Sequence, residues 1–247
     1  MRLLADLLPG DPAEGLAIEE VLLESARQDA CETIRLWVNQ RAVILGRSQS
    51  ARAEVDEAQA QRLGIPILRR ISGGGTVYHY PGNLNLSCFV HKRPALSDVS
   101  SVFRFFGNAI TKALASLAPD LCFEDNGLYV NGLKVGGAAQ ARRGDAVLYH
   151  TTLLVQPSPV SMETLLLAMR AGYRSQVVAS RPRRTTSMAD HLGYLVSHEQ
   201  VVEPVIDGLA CSLNVNLDVG RLTPREAARA ATLKTEKYGS VSWNRKL

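Results

Sequence analysis

The sequence lacks the features that mark nucleic-acid-binding and membrane proteins. Only 6% of its 247 residues are aromatic, and its net charge of +4 is not gathered into a long block of like charges, so no nucleic-acid partner is expected. No apolar run reaches the ~18 residues that a membrane helix needs, which argues against a membrane protein. The mild positive charge fits a small anionic ligand or an acidic protein partner.

Features of secreted and metal-binding proteins are also missing. The amino-terminal segment Met1–Asp6 has neither the long apolar core nor the cleavage pattern of a signal peptide. The four cysteines form no CxxC pair, which argues against a zinc site or a disulfide framework; they are Cys31, Cys88, Cys122 and Cys211. We therefore expect a cytoplasmic protein. The G-x-S-x-G, HExxH and Walker A motifs are absent, as is a dinucleotide-binding G-x-G-x-x-G in its βαβ context.

The apolar pattern predicts one domain of mixed secondary structure. A hydrophobic content of 46% is enough for a packed core. Periodicity and capping residues predict helices over Pro12–Ala26, Glu54–Leu63, Asp98–Leu117, Met162–Met169, His198–Leu213 and Pro224–Tyr238. Runs rich in β-formers predict strands over Thr33–Val38, Ala42–Leu45, Ile65–Ile71, Thr76–Tyr80, Leu84–Val90 and Ala146–Val155, with a hairpin at Asn131-Gly132 between Leu128–Val130 and Lys134–Val135. Strands in hairpins with helices between them predict an α+β fold over residues 1–247.

The most informative stretch is Arg69–His79, in which two arginines precede three consecutive glycines. Because glycines carry no side chains, a ligand can lie directly against this backbone. Successive free N–H groups in such a turn form an anion site, and the Arg70 guanidinium adds a fork of donors for phosphate or carboxylate. The alternative is a flexible glycine-rich hairpin turn.

Four other residues are candidates for chemistry. Lys134 follows the Asn-Gly turn and leads into small residues, so its charge suits a phosphate or an acyl-adenylate; alone, it also fits an ordinary hairpin lysine. His79 and His150 lie on predicted strands, either as structural histidines or as ligand contacts. Cys122 is either a buried core residue or an acyl-accepting nucleophile.

The segment Arg170–His191 is rich in arginine, serine and threonine and shows little periodicity. Its arginines are Arg170, Arg174, Arg181, Arg183 and Arg184. It is either a solvated basic loop or a mobile lid over an anionic ligand.

Taken in order, these motifs resemble the lipoate–protein ligase family of the biotin- and lipoate-ligase superfamily. The matching segments are Val43–Gln49, Arg69–Asn85, Asn126–Gln140, His150–Leu154, Glu236–Ser240 and Trp243-Asn244. They span nearly the whole chain. The combination of RRxSGGGxVxH with GNLN and, about fifty residues later, KVGG is specific, whereas each piece alone would be weak.

The resemblance implies an α+β catalytic domain with a central mixed sheet and a two-step reaction. The carboxylate of lipoate or octanoate attacks the α-phosphate of ATP, with Mg²⁺, and a lysine of an acceptor lipoyl domain then attacks the acyl-adenylate. By position, Lys134 would bridge the acyl carbonyl and phosphate oxygens. The residues assigned to nucleotide, phosphate or acyl binding are Arg70, Ser72, Gly73, Gly74, Gly75, Thr76, Val77, Tyr78, His79, Asn83, Asn126, Lys134, Gly137 and His150. Residues 181–188 resemble the family's adenylate-covering loop, and the metal ligands remain unassigned.

Three residues depart from the family pattern. Tyr80 stands where an aspartate is usual, Gly127 replaces the aspartate of an Asn-Asp pair, and Thr151 replaces the glycine of His-Gly-Thr. Asp125 or Glu124 is the available substitute for the missing carboxylate. The chain also stops just after Trp243-Asn244, so no carboxy-terminal accessory domain is expected, and a separate accessory subunit is one way to complete the enzyme.

Two alternatives to the ligase stay open. Related octanoyltransferases work without ATP through a cysteine thioester, and Cys122-Phe123 resembles the Cys-Phe pair of one such group. The intact triple glycine followed by GNLN resembles the ligases more closely. The third reading, a lipoate-binding module without catalysis, conflicts with the retained Arg70, Gly75 and Lys134.

Overall fold

The structure is a computed structural model that describes residues 1–247. Its strands are β1 (Arg2–Gly10), β2 (Thr33–Asn39), β3 (Ala42–Leu45), β4 (Ile67–Arg69), β5 (Val77–His79), β6 (Asn83–His91), β7 (Cys122–Glu124), β8 (Gly127–Val130), β9 (Leu133–Arg143), β10 (Ala146–Leu154) and β11 (Asp218–Val219). Eight of them form one sheet in the order β11-β1-β2-β6-β10-β9-β8-β7, and a small sheet has the order β4-β3-β5. The large sheet is mixed, because β1 runs parallel to both β2 and β11 while β2, β6, β10 and β9 pair antiparallel.

Helices cover both faces of the large sheet. They are α1 (Pro12–Asp29), α2 (Ala51–Glu54), α3 (Glu57–Arg62), α4 (Val99–Ala113), α5 (Met162–Leu165), α6 (Met188–Leu192), α7 (His198–Leu213), α8 (Pro224–Leu233) and α9 (Val241–Asn244). One core packs α4 and α7 against the sheet, and a second packs α1 and the carboxy-terminal helices. A third, smaller core joins the small sheet to α2, α3 and α5. The α+β prediction is confirmed.

Capping residues explain why the main helices begin where they do. Asp11 accepts hydrogen bonds from the amides of Ala13 and Glu14, with proline at the first helical position. Asp98 forms a capping box with Ser101 at the start of α4. Asn131 and Gly132 both have positive φ, as the predicted hairpin requires. No helix in the described chain is long and apolar enough to cross a membrane.

Several predicted elements are wrong in detail. No strand was predicted at β1, which pairs with β2 through a bulged register. β2 and β3, although joined by only two residues, lie in different sheets and do not pair with each other. The predicted helix over Glu54–Leu63 is two short helices, because Asp56 caps a new one. The helix predicted over Met162–Met169 is one α-helical turn followed by a 3₁₀ turn.

The glycine-rich segment is not a hairpin turn. β4 pairs parallel with β3 and β5 pairs antiparallel with the same strand, so β4 and β5 flank β3 and never meet. The glycines therefore cross from one side of β3 to the other, at the edge where the small sheet faces the large one. This crossing is what places three glycines beside a cavity.

Candidate active site

A cavity of about 720 Å³ lies where the two sheets meet. Its walls come from α1, from strands β2, β3, β5, β6, β9 and β10, and from the segments around residues 125–126 and 162–169. Residues 178–183 and Thr185 cover it. We call residues 70–76 the glycine loop and residues 170–186 the lid.

The glycine loop offers unpaired amides. The N–H groups of Gly73, Gly74 and Gly75 make no hydrogen bond within the chain, and Gly74 and Gly75 line the cavity. Gly74 has a φ of +86°, which a residue with a side chain rarely adopts. Consecutive free amides beside a cavity are a ready anion site.

Arg70 holds this loop from beneath. Its Nη2 donates to the carbonyls of Gly73 (2.6 Å) and Gly75 (2.7 Å), its Nη1 to Ile44 O (3.2 Å), and its Nε to Ser72 Oγ (2.9 Å). Burial lowers the pKa of Arg70 to about 10, and the Glu19 carboxylate opposes that shift. The guanidinium therefore shapes the loop, and any direct contact with phosphate stays a prediction.

A buried chain of hydrogen bonds extends from Arg70 to α1. Ser72 Oγ lies 2.7 Å from His150 Nε2, and His150 Nδ1 lies 2.8 Å from Glu19 Oε1. The same carboxylate oxygen accepts from Ser87 Oγ at 2.7 Å. Burial raises the pKa of Glu19, but His150 and Ser87 outweigh it and the net pKa is lowered. The network fixes the His150 ring at the cavity wall.

His79 is neutral at physiological pH. Asn39 Nδ2 lies 2.9 Å from His79 Nδ1, so Nδ1 accepts and the proton lies on Nε2. Burial lowers the pKa of His79 to about 3. The imidazole lines the cavity as an uncharged group beside the Trp37 ring, at 6.2 Å between centroids.

Lys134 is a cation of the cavity wall without an ion-pair partner. Its ammonium makes no hydrogen bond to the protein, and its Nζ lies 5.9 Å from the Tyr129 ring centroid. Burial lowers its pKa, and the nearby Arg183 lowers it further against the opposing pull of Asp125. A Cβ at position 127 would lie 2.9 Å from Lys134 Cε, so Gly127 leaves room for the lysine. A half-buried ammonium without a carboxylate partner is suited to an anionic ligand.

The lid is paired to the strand that carries Lys134. The Lys134 amide donates to Arg184 O at 2.8 Å, and the Thr186 amide donates to Lys134 O at 3.0 Å. The backbone of the lid thus runs beside Lys134 as a short parallel bridge at Thr185. Arg183 reaches across to Asp125 at 3.2 Å.

Most of the residues predicted for the site meet in this one cavity. Those lining it are Arg70, Gly74, Gly75, Thr76, Val77, Tyr78, His79, Asn126, Lys134, Gly137 and His150. Ser72, Gly73 and Asn83 do not line it: Ser72 joins Arg70 to His150, and Asn83 donates to Asn85 Oδ1 at 3.0 Å. Tyr80 donates to Gln156 O at 2.7 Å and stacks on Tyr78, so it supports the small sheet.

The sequence predictions missed several cavity residues. Glu19 could have been found from the sequence, because a carboxylate on the apolar face of a helix must find a buried partner. The residues of the apolar walls could not, because they are distant from one another in sequence. One wall comprises Leu16, Trp37, Ile44 and Val77, and the other comprises Leu154, Met162, Leu166 and Met169.

Sequence comparison finds relatives of matching length. Lipoate-protein ligase A subunit 1 of Thermoplasma acidophilum is 30% identical, over 98% of this chain and 95% of that protein. Octanoyltransferase LipM of Symbiobacterium thermophilum is 28% identical, over 94% of this chain and 93% of that protein. Both similarities extend along nearly the whole molecule.

Solved structures share the complete fold. A T. acidophilum protein with bound lipoic acid superposes with a TM-score of 0.85 at 27% identity, covering 99% of this chain and 98% of the other. A bi-partite lipoate protein ligase with its E2 lipoyl domain, from the same organism, also gives 0.85 at 27% identity, with 99% and 95% covered. A lipoate-protein ligase A bound with ATP gives 0.84 at 28% identity, with 99% and 98% covered.

The family model described as the lipoyl protein ligase A/B catalytic domain matches residues 11–210. The matched range contains the glycine loop, Lys134 and the lid. Since it covers well over half of the chain, the protein belongs to the lipoyl protein ligase A/B family.

Proposed function

We propose that this protein is a lipoate–protein ligase, which joins lipoate or octanoate to ATP as an acyl-adenylate and transfers the acyl group to a lysine of a lipoyl domain. One observation carries the proposal: the free amides of Gly74 and Gly75 and the unpaired ammonium of Lys134 line one cavity that also has two separate apolar walls. An acyl-adenylate has one anionic phosphate between two largely apolar or aromatic ends. The cavity therefore matches the intermediate.

The residues suggest an arrangement of the intermediate. The acyl chain lies against Leu16, Trp37 and Ile44, and the adenine lies against Met162 and Leu166. Burial at such walls contributes about 25 cal/mol per Å² of apolar surface. The phosphate then sits against the glycine loop and Lys134.

In the first step, a carboxylate oxygen of the acid attacks the α-phosphorus, the bond to the bridging oxygen breaks, and pyrophosphate leaves. Lys134 and the glycine-loop amides hold both anions and stabilise the charge that develops on the phosphoryl oxygens. Because the Lys134 ammonium has no protein partner, it is free to follow that charge. Holding two like-charged reactants together is the main task of the site.

In the second step, the acceptor lysine's nitrogen attacks the acyl carbonyl carbon, the bond to the adenylate oxygen breaks, and AMP leaves. The Lys134 ammonium stabilises the oxyanion that forms. The proton lost by the amine passes to solvent or to the departing phosphate, since His79 is neutral with its Nδ1 engaged by Asn39.

Mg²⁺ is part of the proposal, with few protein ligands. No cluster of three or more acidic, histidine or cysteine side chains occurs in the chain. Asp125 and Asn126 line the cavity and are the candidates to hold it, which suits Mg²⁺ because it is commonly bound by one or two carboxylates plus substrate phosphates. When bound, the ion neutralises phosphate charge.

The thioester alternative is less well supported. Cys122 is exposed on β7, so the predicted buried core position is wrong, and it does not line the cavity either. It pairs with Tyr129, which pairs with Lys134, so two strand spacings, about 10 Å, separate the backbones of Cys122 and Lys134. Partial burial raises the pKa of Cys122, and Glu124 and Asp120 raise it further, whereas a nucleophilic cysteine needs a lowered pKa.

The test is the intact mass of an apo lipoyl domain after incubation with the protein and lipoate, with and without MgATP. We expect a lipoyl mass gain that requires ATP and is lost in Lys134→Ala. Lys112→Ala, which removes an exposed lysine on α4, is the matched control and should modify the domain normally. Full activity in Lys134→Ala would disprove the assigned role of this lysine.

A second pair of arms separates the alternatives. Synthetic lipoyl-adenylate should serve as donor even if activation needs a separate accessory subunit, an arrangement that the bi-partite T. acidophilum ligase suggests. Octanoyl carrier protein should not serve as donor. Transfer from that carrier, abolished in Cys122→Ser, would establish the transferase instead.

We further propose that this protein meets its lipoyl-domain acceptor in the cytoplasm.

A further inference from the structure

Glu54 is a fully buried carboxylate without a cationic partner. It ends α2 and is 0% exposed, and no lysine or arginine forms an ion pair with it. Burying a carboxylate is costly unless it is fully hydrogen-bonded. The hydrogen-bond donors to the Glu54 carboxylate therefore indicate its structural role.

Every donor to Glu54 comes from the lid or the glycine loop. Ser180 Oγ donates to Oε2 at 2.6 Å and the Ser180 amide to Oε1 at 3.3 Å, while the Tyr173 hydroxyl donates to Oε1. Thr76 Oγ1 lies 3.3 Å from Oε2. The carboxylate loses three of its four donors if the lid leaves.

Gln49 also connects the lid to the glycine loop, because its side chain contacts both Ser180 and Thr76. Its Oε1 accepts from Thr76 Oγ1 at 2.9 Å, and its Nε2 donates to Ser180 Oγ at 3.0 Å. Ser180 Oγ in turn accepts from the Thr76 amide at 2.9 Å. Ser180 is thus held by Glu54, Gln49 and Thr76 together.

Besides Arg170 at its start, which donates to Asp56, the lid is fixed at two places next to residues that line the cavity. Residues 184–186 pair with the backbone of Lys134, and Ser180 is held over Thr76 by the buried carboxylate. Between them, residues 181–183 line the cavity. The Ser180 end is held through side chains, whereas the other end combines backbone pairing with the exposed pair between Arg183 and Asp125.

We propose that Glu54 is a positioning residue: with Tyr173, Ser180, Gln49 and Thr76 it forms a latch that seats the lid on the glycine loop and thereby retains the acyl-adenylate until the acceptor lysine arrives. Glu54 touches no reacting atom and acts through Ser180 and Thr76. The retention of an adenylate rests on the proposed function, whereas the latch itself does not.

Hydrogen–deuterium exchange on the ligand-free protein tests the latch independently of activity. In Glu54→Gln, Tyr173→Phe and Ser180→Ala we expect exchange in the segment containing Ser180 to rise about tenfold or more, because a charge-assisted hydrogen bond is lost. Tyr194→Phe and Ser212→Ala, which change exposed residues outside the latch, should exchange like the wild type. Tyr173→Phe and Ser180→Ala remain informative if Glu54→Gln fails to fold.

The ratio of AMP released to lipoyl domain modified tests retention. We expect the latch variants to raise this ratio severalfold, because adenylate that escapes the site is hydrolysed in solution. We also expect them to raise the KM for ATP, because the lid is then held less firmly over the cavity. A wild type that neither makes AMP from lipoate and MgATP nor transfers the acyl group from synthetic lipoyl-adenylate disproves the proposed function, while the exchange result still decides the latch. Unchanged exchange overturns the latch, and raised exchange with an unchanged AMP ratio overturns its role in retention.

Discussion

The glycine loop, which is the floor of the cavity, and the lid, which is its cover, are built in different ways. The glycine loop is held by a buried guanidinium that donates to three carbonyls and a hydroxyl, and this guanidinium connects through Ser72 and His150 to Glu19. The lid carries exposed arginines and is held at its start by Arg170 on Asp56, at Ser180, and beside Lys134. A floor that is satisfied without ligand is pre-organised for an anion, whereas a cover with few contacts opens at low free-energy cost.

The largest effect is expected from breaking the floor with Arg70→Ala. This change removes the donor to the carbonyls of Gly73, Gly75 and Ile44, of which the Ile44 bond is buried, and a buried group left without its partner costs about 1–3 kcal/mol. We expect the free energy of unfolding to fall by about 3 kcal/mol or more, and lipoylation to be lost. Denaturant titration and the mass assay measure the two effects.

The matched change in the cover is Arg174→Ala. Arg174 is exposed in the lid and makes no hydrogen bond or ion pair, so stability should stay within about 0.5 kcal/mol of the wild type. A similar loss of stability in both variants would mean that the floor and the cover unfold as one unit.

The next largest loss of stability is expected from Glu19→Gln, and it should depend on pH. The native pKa of Glu19 is lowered because His150 and Ser87 outweigh burial, so its carboxylate contributes stability above its unfolded pKa of about 4.5, and this contribution disappears as the pH falls through the lower native pKa. At pH 7 the variant should lose about 2 kcal/mol. The difference from wild type should shrink below pH 4.5, measured as melting temperature against pH.

The control for this carboxylate is Glu203→Gln on the exposed face of α7. It should lower the melting temperature little at any pH, because the Glu203 side chain is exposed and makes no hydrogen bond or ion pair within the chain. A gap between wild type and Glu19→Gln that stays constant down to pH 3 would contradict the network.

Local signals in the sequence account for much of the fold. The caps at Asp11 and Asp98 and the Asn131-Gly132 turn acted as predicted, because each depends on neighbouring residues. Pairing between distant strands did not follow from local pattern: β1 has no alternating apolar pattern, since much of it is exposed at the bulged edge. That β2 and β3 belong to different sheets is likewise a tertiary outcome.

The candidate site divides along the same line. Glycines, Arg70 and Lys134 could be predicted because their chemistry is visible in one short segment each. Glu54 could not, because an acidic residue in a short helix ordinarily faces solvent, and only the arrival of Ser180 and Tyr173 from more than a hundred positions away explains its burial. The role of Arg70 under the loop also needed the structure, since a guanidinium beside glycines suggests a ligand contact equally well.

Gly74 and Gly172 have similar φ angles and allow the glycine loop and the lid to be compared directly. Gly74 in the floor has a φ of +86° and a Cβ there would lie 3.0 Å from Arg70 Nη2, whereas Gly172 in the lid has a φ of +79° with nothing within 4 Å. Alanine at either position is strained by about 1–2 kcal/mol. We expect Gly74→Ala to lower global stability and lipoylation, and Gly172→Ala to alter only local exchange in the lid.

The measurements are thermal unfolding for both variants and hydrogen–deuterium exchange across the lid. Equal decreases in melting temperature would show that the lid is as tightly coupled to the core as the floor. Unchanged lipoylation in Gly74→Ala would show that the positive φ of this glycine is not needed for the anion site.

The smallest effect is expected from Arg183→Ala, where the lid meets Lys134. Its pair with Asp125 is exposed, so stability should change by less than about 0.5 kcal/mol. Arg183 lowers the pKa of Lys134, though less than burial does, and Asp125 raises it. Removing Arg183 should therefore raise the Lys134 pKa and shift the alkaline limb of the pH–rate profile for transfer from lipoyl-adenylate to higher pH. Arg174→Ala should leave that limb in place, and a shift to lower pH in Arg183→Ala would mean that the lid arginine does not act on Lys134 through its charge.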